Sequence, residues 1–220
     1  QSGAASAADQ LIAAGVVGVV GHTFSGATLA AMPRYADAGV PVVSSTATSP
    51  SLGGADRYAR FYRTIPNDDA EIAAVLSWGF DVLGARAFAL VRAEGDSYGA
   101  ALAVTAQAHI AGLGGASVEL LEPMVEAAAT AASITASSAD VVLFTGMQTT
   151  ASASLVVALR GLGSDLPYLA TDGCVNEEFR QAAGSQGAGV LLAGLAGTAD
   201  VPDGAALAAD YRVRYGVDPG

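Results

Sequence analysis

The sequence contains no lysine, so arginine supplies all ten of its basic residues. Aspartate and glutamate together number 21, and the formal net charge is -11 at pH 7. Proteins that bind nucleic acid draw most of that binding free energy from clusters of Lys and Arg, and the sequence contains no such cluster. Nucleic acid is therefore a poor partner, and a membrane surface is disfavoured for the same reason.

Cysteine and histidine are scarce as well. Cys174 is the only cysteine, so no disulfide can form within the chain, and the two histidines, His22 and His109, are isolated. No spacing that is typical of a metal site occurs. We therefore expect no metal and no cofactor, and we interpret Cys174 as a small buried residue instead of a nucleophile. The redox compartment stays open.

Long apolar runs are missing too. Hydrophobic residues make up 52% of the 220 residues, but no run reaches the roughly 18 residues that a membrane-spanning helix needs. The first residues lack the charged and apolar regions of a signal peptide, so we expect such a peptide to be absent or already removed. The length suffices for one large domain or for two modest lobes, each with its own core.

Short apolar runs alternate with segments of helical period along the whole chain. The strand-like runs read VVGVVGH, PVVSST, FYRTIP, AFALVRA, SVELLEPM, DVVLFTG, PYLAT and GVLLAGL. This alternation predicts parallel strands joined by helices, and strands so uniformly apolar indicate sheets that are covered on both faces. The pattern therefore predicts an α/β fold of the doubly wound type.

Helix starts and ends are marked by their usual residues. Asn67 or Asp68 precedes an acidic first turn, and glycine stands where several helices should end, at Gly39, Gly84, Gly163, Gly184 and Gly216. Pro33 is the exception, because it lies well inside a helical pattern. It predicts a kink or a late helix start.

Two segments are candidate boundaries between lobes. The segment Leu52–Glu71 reads as a long turn, a short extended piece and a new helix start, and Leu191–Ala206 reads as a strand that enters a loop of Gly, Asp and Pro. We predict a partial lobe I over residues 1–64, a lobe II over residues 65–196 and the start of a return segment to lobe I over residues 197–220.

Ligands of open α/β sheets bind outside the carboxyl ends of the strands. That rule selects Thr23, Phe24, Ser25, Ser45, Thr46, Ala47, Thr48, Ser97, Tyr98, Met147, Gln148 and Asp172. Ser25 is expected to place a hydroxyl and backbone N–H groups at a helix N-terminus, an arrangement that favours an anion. Asp172 follows an apolar strand, which makes a cation-binding role credible.

Each of these residues also has a purely structural interpretation. Ser25 and Thr48 could cap a helix or close a turn, which is the commonest role of Ser and Thr in loops. Asp172 could be a turn aspartate before a glycine, Tyr98 could pack on the sheet, and Met147 could belong to the core. Spacing alone does not decide between the two interpretations.

Catalytic patterns are weak by comparison. Ser25 does not stand in a G-x-S-x-G elbow, and His22 lies only three residues away at the same strand end, so no set of nucleophile, base and orienting residue emerges. The acidic pair Glu94 and Asp96 is interpreted as a solvated loop. An enzyme of doubly wound fold remains an alternative without a supporting constellation.

The ordered series VVGHTFSGAT, GVPVVSSTATSPSL, FYRTIPNDDAE, DSYGAALA, DVVLFTG and PYLATDG resembles a known family. It is similar to the type I periplasmic binding proteins of the branched-chain amino-acid (Leu/Ile/Val-binding) class, which are solute receptors of ABC importers. The resemblance covers essentially the whole chain, in order and with similar spacing. It implies two Rossmann-like lobes that close on an amino acid, an extracellular or periplasmic location, and an ABC permease as partner.

The resemblance also implies roles for particular residues. It assigns Ser25, Thr46 and Thr48 to the ligand carboxylate, in turns that include Phe24 and Ala47, and Asp172 to the ligand ammonium. Asp172 is an Asp where the best-known members have Glu, and Met147 stands where an aromatic residue is common. Tyr98 matches a tyrosine that lies against the ligand. The lobes are expected to close about Phe61–Pro66 and Leu195–Asp200.

Members of the family begin with a further strand of lobe I and continue beyond the final YGVDP. The resemblance therefore implies that lobe I is incomplete in this chain, that ligand binding by this chain alone is weak or absent, and that exposed apolar surface on lobe I can drive dimerisation. A sensor or regulator domain of the same fold remains an alternative, as does a purely structural interaction module without ligand.

Overall fold

The computed structural model describes residues 2–53, 58–194 and 201–218. The helices are α1 (Ser2–Ala13), α2 (Ser25–Ala38), α3 (Asp68–Asp81), α4 (Ser97–Gly112), α5 (Ala127–Ala136), α6 (Thr149–Gly161), α7 (Glu177–Ala183) and α8 (Gly204–Tyr215). The strands are β1 (Val19–Val20), β2 (Val42–Ser44), β3 (Phe61–Arg63), β4 (Ala87–Ala93), β5 (Ser117–Met124), β6 (Val141–Phe144), β7 (Tyr168–Ala170) and β8 (Leu191–Leu192). Each predicted apolar run contains a strand.

The first sheet is parallel, with the strand order β1-β2-β3. Successive side chains of a strand point to opposite faces, so two rows of residues run across this sheet. The inward row consists of Val19, Val42 and Phe61 and packs against α1 and α2. The outward row consists of Val20, Val43 and Tyr62, which are 91%, 37% and 57% exposed. Helices cover one face only among the described residues, as the predicted incomplete lobe requires.

The second sheet is also parallel, with the strand order β5-β4-β6-β7-β8. Helices α3 and α4 pack on one face against side chains such as Phe88 and Leu90. Helices α5, α6 and α7 pack on the other face against side chains such as Val91 and Phe144. This sheet therefore has the predicted doubly wound arrangement, with a core on each face.

Capping residues fix where the site-forming helices begin. The Asn67 side chain accepts the Ala70 N–H at the start of α3, and the Asp96 side chain accepts the Gly99 N–H at the start of α4. Gly39 ends α2 in the left-handed conformation, with φ at 68°. Pro33 lies inside α2, which already begins at Ser25, so the predicted late start is wrong.

The chain passes from the first sheet to the second between the end of β3 and the start of α3, within the first predicted hinge. The second predicted hinge, Leu195–Asp200, lies outside the described residues. The division at residues 64 and 196 stays a prediction. Within the described ranges, no helix combines the length and the apolar character needed to cross a membrane.

Candidate ligand-binding site

The turns after β1 and β2 are joined by hydrogen bonds from their hydroxyl groups. Ser25 is the first residue of α2, and its Oγ accepts the Ser49 N–H at 3.1 Å. The Thr46 hydroxyl donates to the Thr23 carbonyl at 2.6 Å. These contacts hold the helix start and the second turn side by side. The first N–H groups of α2 have no partner within the helix itself, which suits an anion there.

Arg63, at the end of β3, holds the turn after β2 in place through hydrogen bonds to its backbone. Its Nη1 donates to the carbonyl oxygens of Ala47, Thr48 and Ser49 at 3.2, 2.8 and 3.1 Å. The Thr48 carbonyl also accepts the Asp68 N–H at 3.1 Å, which joins this turn to the start of α3. Burial lowers the pKa of Arg63, and the nearby Asp68 opposes that shift.

The turns of the second sheet are tied together by Asp96, whose side chain is buried. One of its oxygens caps α4, and the other accepts the Met147 N–H at 3.1 Å. The prediction of a solvated loop is therefore wrong for Asp96, because two backbone donors compensate its burial. Glu94 is exposed as expected.

Gly173 packs closely against the turn after β6. A methyl group at this position would lie 2.4 Å from the Gly146 carbonyl oxygen and 2.7 Å from the Met147 Cα. The 3-10 turn Asp172–Cys174 can approach so closely only because Gly173 has no side chain. This approach fixes the backbone that carries Asp172.

Four polar side chains from three separate parts of the chain meet beside Thr48. The Tyr98 hydroxyl lies 3.3 Å from Asp68 Oδ1 and 3.4 Å from Asp172 Oδ1, and it shares its hydrogen between the two carboxylates. The Asp172 N–H donates to Glu71 Oε1 at 2.7 Å. Thr48, from the first sheet, lies beside Tyr98 and lines the same cavity as Glu71 and Asp172. Three carboxyl groups therefore surround one tyrosine hydroxyl.

The proximity of these acidic groups changes how they titrate. Burial, the charge of Asp172 and then that of Asp68 raise the pKa of Glu71 to about 7, against a smaller opposing effect of the Asp172 N–H. Burial also raises the pKa of Asp172, while hydrogen bonds from Gly173 and Tyr98 lower it. Burial and then the three acidic neighbours raise the pKa of Tyr98, so its hydroxyl remains a donor.

A cavity of about 520 Å³ opens beside this cluster. Thr48, Glu71 and Asp172 line its polar part, and Trp78, Leu169 and Leu191 belong to its apolar part. The described residues contain no group of His, Cys, Asp and Glu that could hold a metal ion. The carboxyl groups of Glu71 and Asp172 and the hydroxyl of Thr48 line this cavity, and a positively charged organic group is the ligand chemistry that they can receive.

The resemblance places eight of the selected residues in the ligand site, and the structure brings three of them together, namely Thr48, Tyr98 and Asp172. Ser25 and Thr46 lie in the adjoining turns with the hydrogen bonds described above. Ala47 is fully buried, its N–H donates to Ser44 Oγ, and its carbonyl accepts from Arg63. The side chains of Phe24 and Met147 are exposed, by 67% and 57%.

Sequence reasoning missed Asp68, Glu71 and Arg63. It read the acidic segment after β3 as helix punctuation and as a hinge, although this segment also follows the carboxyl end of a strand. The signal was the spacing of Asp68 and Glu71, because residues three apart lie on the same side of a helix. Cys174 is fully buried as predicted, and burial raises its pKa to about 11.

Two parallel sheets, each with its candidate residues at the carboxyl ends of the strands, define an α/β fold of the periplasmic-binding-protein type. A family model described as "Periplasmic binding protein" matches residues 1–220. The chain belongs to this family. An "Amino acid binding protein" of Pseudomonas aeruginosa is 30% identical over 202 residues, which are 89% of this chain and 53% of that protein.

Solved structures show the same fold. The leucine binding protein LivK of Thermotoga maritima superposes with a TM-score of 0.78 at 22% identity, over 99% of this chain and 63% of that one. LivJ of Streptococcus pneumoniae, in complex with isoleucine, superposes with a TM-score of 0.74 at 23% identity. The match covers 99% of this chain and 63% of that one. The chain therefore spans about half the length of its curated relative and less than two thirds of these solved proteins.

Proposed function

We propose that this protein is the extracellular solute-binding receptor of an ABC importer and binds an amino acid or a related small carboxylate between two lobes. The observation that carries this proposal is the meeting of Thr48, from the first sheet, with Tyr98 and Asp172, from the second. Family membership supports it, since the chain resembles proteins described as amino-acid and leucine binding proteins.

A zwitterion fits the different chemistry of the two sheets, because the first offers hydroxyl and N–H groups and the second offers Asp172. The ligand's carboxylate would bind the hydroxyls of Ser25, Thr46 and Thr48 and the backbone N–H groups near Phe24 and Ala47. Its ammonium would bind Asp172, with Tyr98 and Met147 beside it. Neither lobe alone satisfies both charges, so ligand contact with both lobes stabilises the closed form.

The proposed receptor delivers its ligand to a permease and performs no chemistry itself. Cys174, the sole cysteine of the sequence, is buried with a raised pKa, which disfavours the thiolate that a nucleophilic role would need. We place the protein outside the cytoplasmic membrane, either in a periplasm or tethered to the cell surface. The hinge passages would be Phe61–Pro66 and Leu195–Asp200.

A thermal-shift screen of the full-length gene product tests this proposal. The panel contains the common L-amino acids, small carboxylates, amides and aromatic acids. A ligand at 100 times its Kd stabilises the folded state by about 2.7 kcal/mol and raises Tm by a few degrees. We expect an amino acid to do so. A screen in which only ligands without an amine raise Tm contradicts the amino-acid assignment, and a screen without any shift contradicts the receptor proposal.

A further inference from the structure

This inference rests on the proposed function and extends it to a residue that neither the strand-end rule nor the family resemblance selected. We propose that Glu71 is a second receptor for the ligand's ammonium group beside Asp172, and that ligand binding releases a proton from Glu71 to the solvent. The Glu71 carboxylic acid gives its proton to the solvent. The resulting carboxylate then pairs with the ligand's ammonium group. No other group is consumed or formed.

The geometry places Glu71 in the same cavity as Asp172. Glu71 lies in the first turn of α3, and its Oε1 accepts the N–H of Asp172 at 2.7 Å although the two residues are 101 positions apart. This is the only hydrogen bond of the Glu71 side chain among the described residues, so it leaves Oε2 available. Both side chains line the cavity that also reaches Thr48 of the first sheet.

The surroundings of Glu71 carry an excess of negative charge. Asp68 on the same helix and Asp172 after β7 are its acidic neighbours, and Tyr98 on α4 is a neutral donor. Arg63 on β3 is the nearby cation, but its Nη1 is bonded to three carbonyl oxygens of the turn after β2. An ammonium group in the cavity supplies the positive charge that these neighbours do not give Glu71.

The protonation of Glu71 gives this arrangement a measurable consequence. Its pKa of about 7 in the free protein means that about half of the molecules hold the proton at pH 7. A bound ammonium favours the carboxylate and lowers that pKa. Binding at pH 7 should therefore release about half a proton per ligand, and Kd should be about tenfold weaker at pH 6 than at pH 8.

Isothermal titration calorimetry of the full-length gene product measures both quantities. L-leucine is the first probe, and L-alanine, L-glutamine and L-phenylalanine are run in parallel. Titrations at pH 7 in phosphate and in Tris give the number of protons released, because the two buffers differ in their heat of ionisation. Titrations at pH 6 and pH 8 give the ratio of the two Kd values.

The substitution Glu71→Gln keeps an acceptor for the Asp172 N–H and removes the proton. We expect it to abolish proton release and to make Kd equal at pH 6 and pH 8. Asp69→Asn is the matched control, because Asp69 is exposed on the same helical turn and pairs with His109. The Asp69→Asn control should keep both the proton release on binding and the weaker Kd at pH 6.

The pH dependence of stability, measured without ligand, shows whether Glu71→Gln has lost the Glu71 proton or merely folds badly. The pKa of Glu71 is raised in the folded state, so folding holds this proton more tightly than the unfolded chain does. Its contribution to stability is therefore complete below the unfolded pKa and is lost as pH rises through the folded pKa of about 7. Wild type should lose more stability than Glu71→Gln between pH 4.5 and pH 7.

The outcomes separate this inference from the function on which it rests. Binding of a probe with equal heats in both buffers and equal Kd at pH 6 and pH 8 overturns the role of Glu71 and leaves the receptor proposal standing. Proton release that persists in Glu71→Gln overturns it as well. If no probe binds even at pH 8, the receptor proposal fails and this inference fails with it.

Discussion

At the scale of single residues, Gly173 determines how closely the turn that carries Asp172 can approach the turn after β6. A methyl group would lie 2.4 Å from the Gly146 carbonyl oxygen, which is backbone and cannot rotate away. We expect Gly173→Ala to cost about 1–3 kcal/mol of unfolding free energy, because overpacking displaces backbone. Urea denaturation followed by circular dichroism measures the loss.

The control for this substitution is Gly161→Ala. Gly161 is the last residue of α6, and a methyl group there would meet no atom within 4 Å. It should leave stability unchanged or raise it slightly, since alanine has the higher helix propensity. If the two variants have the same unfolding free energy, the close approach of Gly173 does not constrain the turn that carries Asp172.

The residue scale is also where sequence reasoning reached its limit. Thr48, Tyr98 and Asp172 could be selected because each follows a strand, and parallel strands bring their carboxyl ends to one edge. Glu71 could not be paired with Asp172, because nothing in a linear sequence shows that residues 101 positions apart share a hydrogen bond. Asp96 was misread because a buried carboxylate and a solvated one look alike in sequence.

At the scale of secondary-structure elements, Asp96 couples the start of α4 to the turn after β6. Asp96→Ala removes a helix cap, which costs about 1 kcal/mol. It also leaves the Met147 N–H without its partner, which costs about 1–3 kcal/mol if that group stays buried. We therefore expect a loss of about 2–4 kcal/mol in unfolding free energy, measured by urea denaturation.

Asn67→Ala is the comparison, because the Asn67 side chain caps α3 through a single exposed hydrogen bond. It should cost about 1 kcal/mol. Equal losses for the two variants would mean that Asp96 acts as an ordinary cap and that the contact with Met147 contributes nothing.

The elements themselves could largely be predicted. Uniformly apolar runs separated by helical periods predicted the parallel strands, and Asn67 and Gly39 marked a helix start and a helix end that the structure confirms. Pro33 predicted a kink or a late helix start; α2 begins at Ser25, so the late start is wrong, and the kink stays a prediction. The first apolar run contains a strand of only two residues, Val19–Val20, since pairing with β2 and not local preference sets its length.

At the scale of the whole molecule, the first sheet presents an open apolar face. Dimerisation through this surface of lobe I is an expectation from the sequence, and it stays a prediction. Val20, Val43 and Tyr62 form one row across three paired strands, and parallel sheets are normally buried on both faces. Sedimentation velocity should show a dimer at micromolar concentration.

Charged substitutions within the row test this interface. Val20→Glu and Tyr62→Glu should shift the chain to monomer, because each would place an unpaired charge in the contact. Val104→Glu is the control, since Val104 is 66% exposed on α4 of the other sheet. Dissociation by Val104→Glu, or a chain that is monomeric throughout, contradicts the predicted interface.

The measurement that tests the central claim most directly compares an amino acid with its skeleton lacking the amine. Calorimetry gives Kd for L-leucine and for 4-methylpentanoate, with the full-length gene product and with its Asp172→Asn variant. The proposed ammonium site predicts that wild type prefers leucine at least tenfold and that Asp172→Asn loses most of this preference, since a charged hydrogen bond contributes about 1.5–3 kcal/mol. Equal affinity of wild type for both compounds, or an undiminished preference in Asp172→Asn, would contradict it.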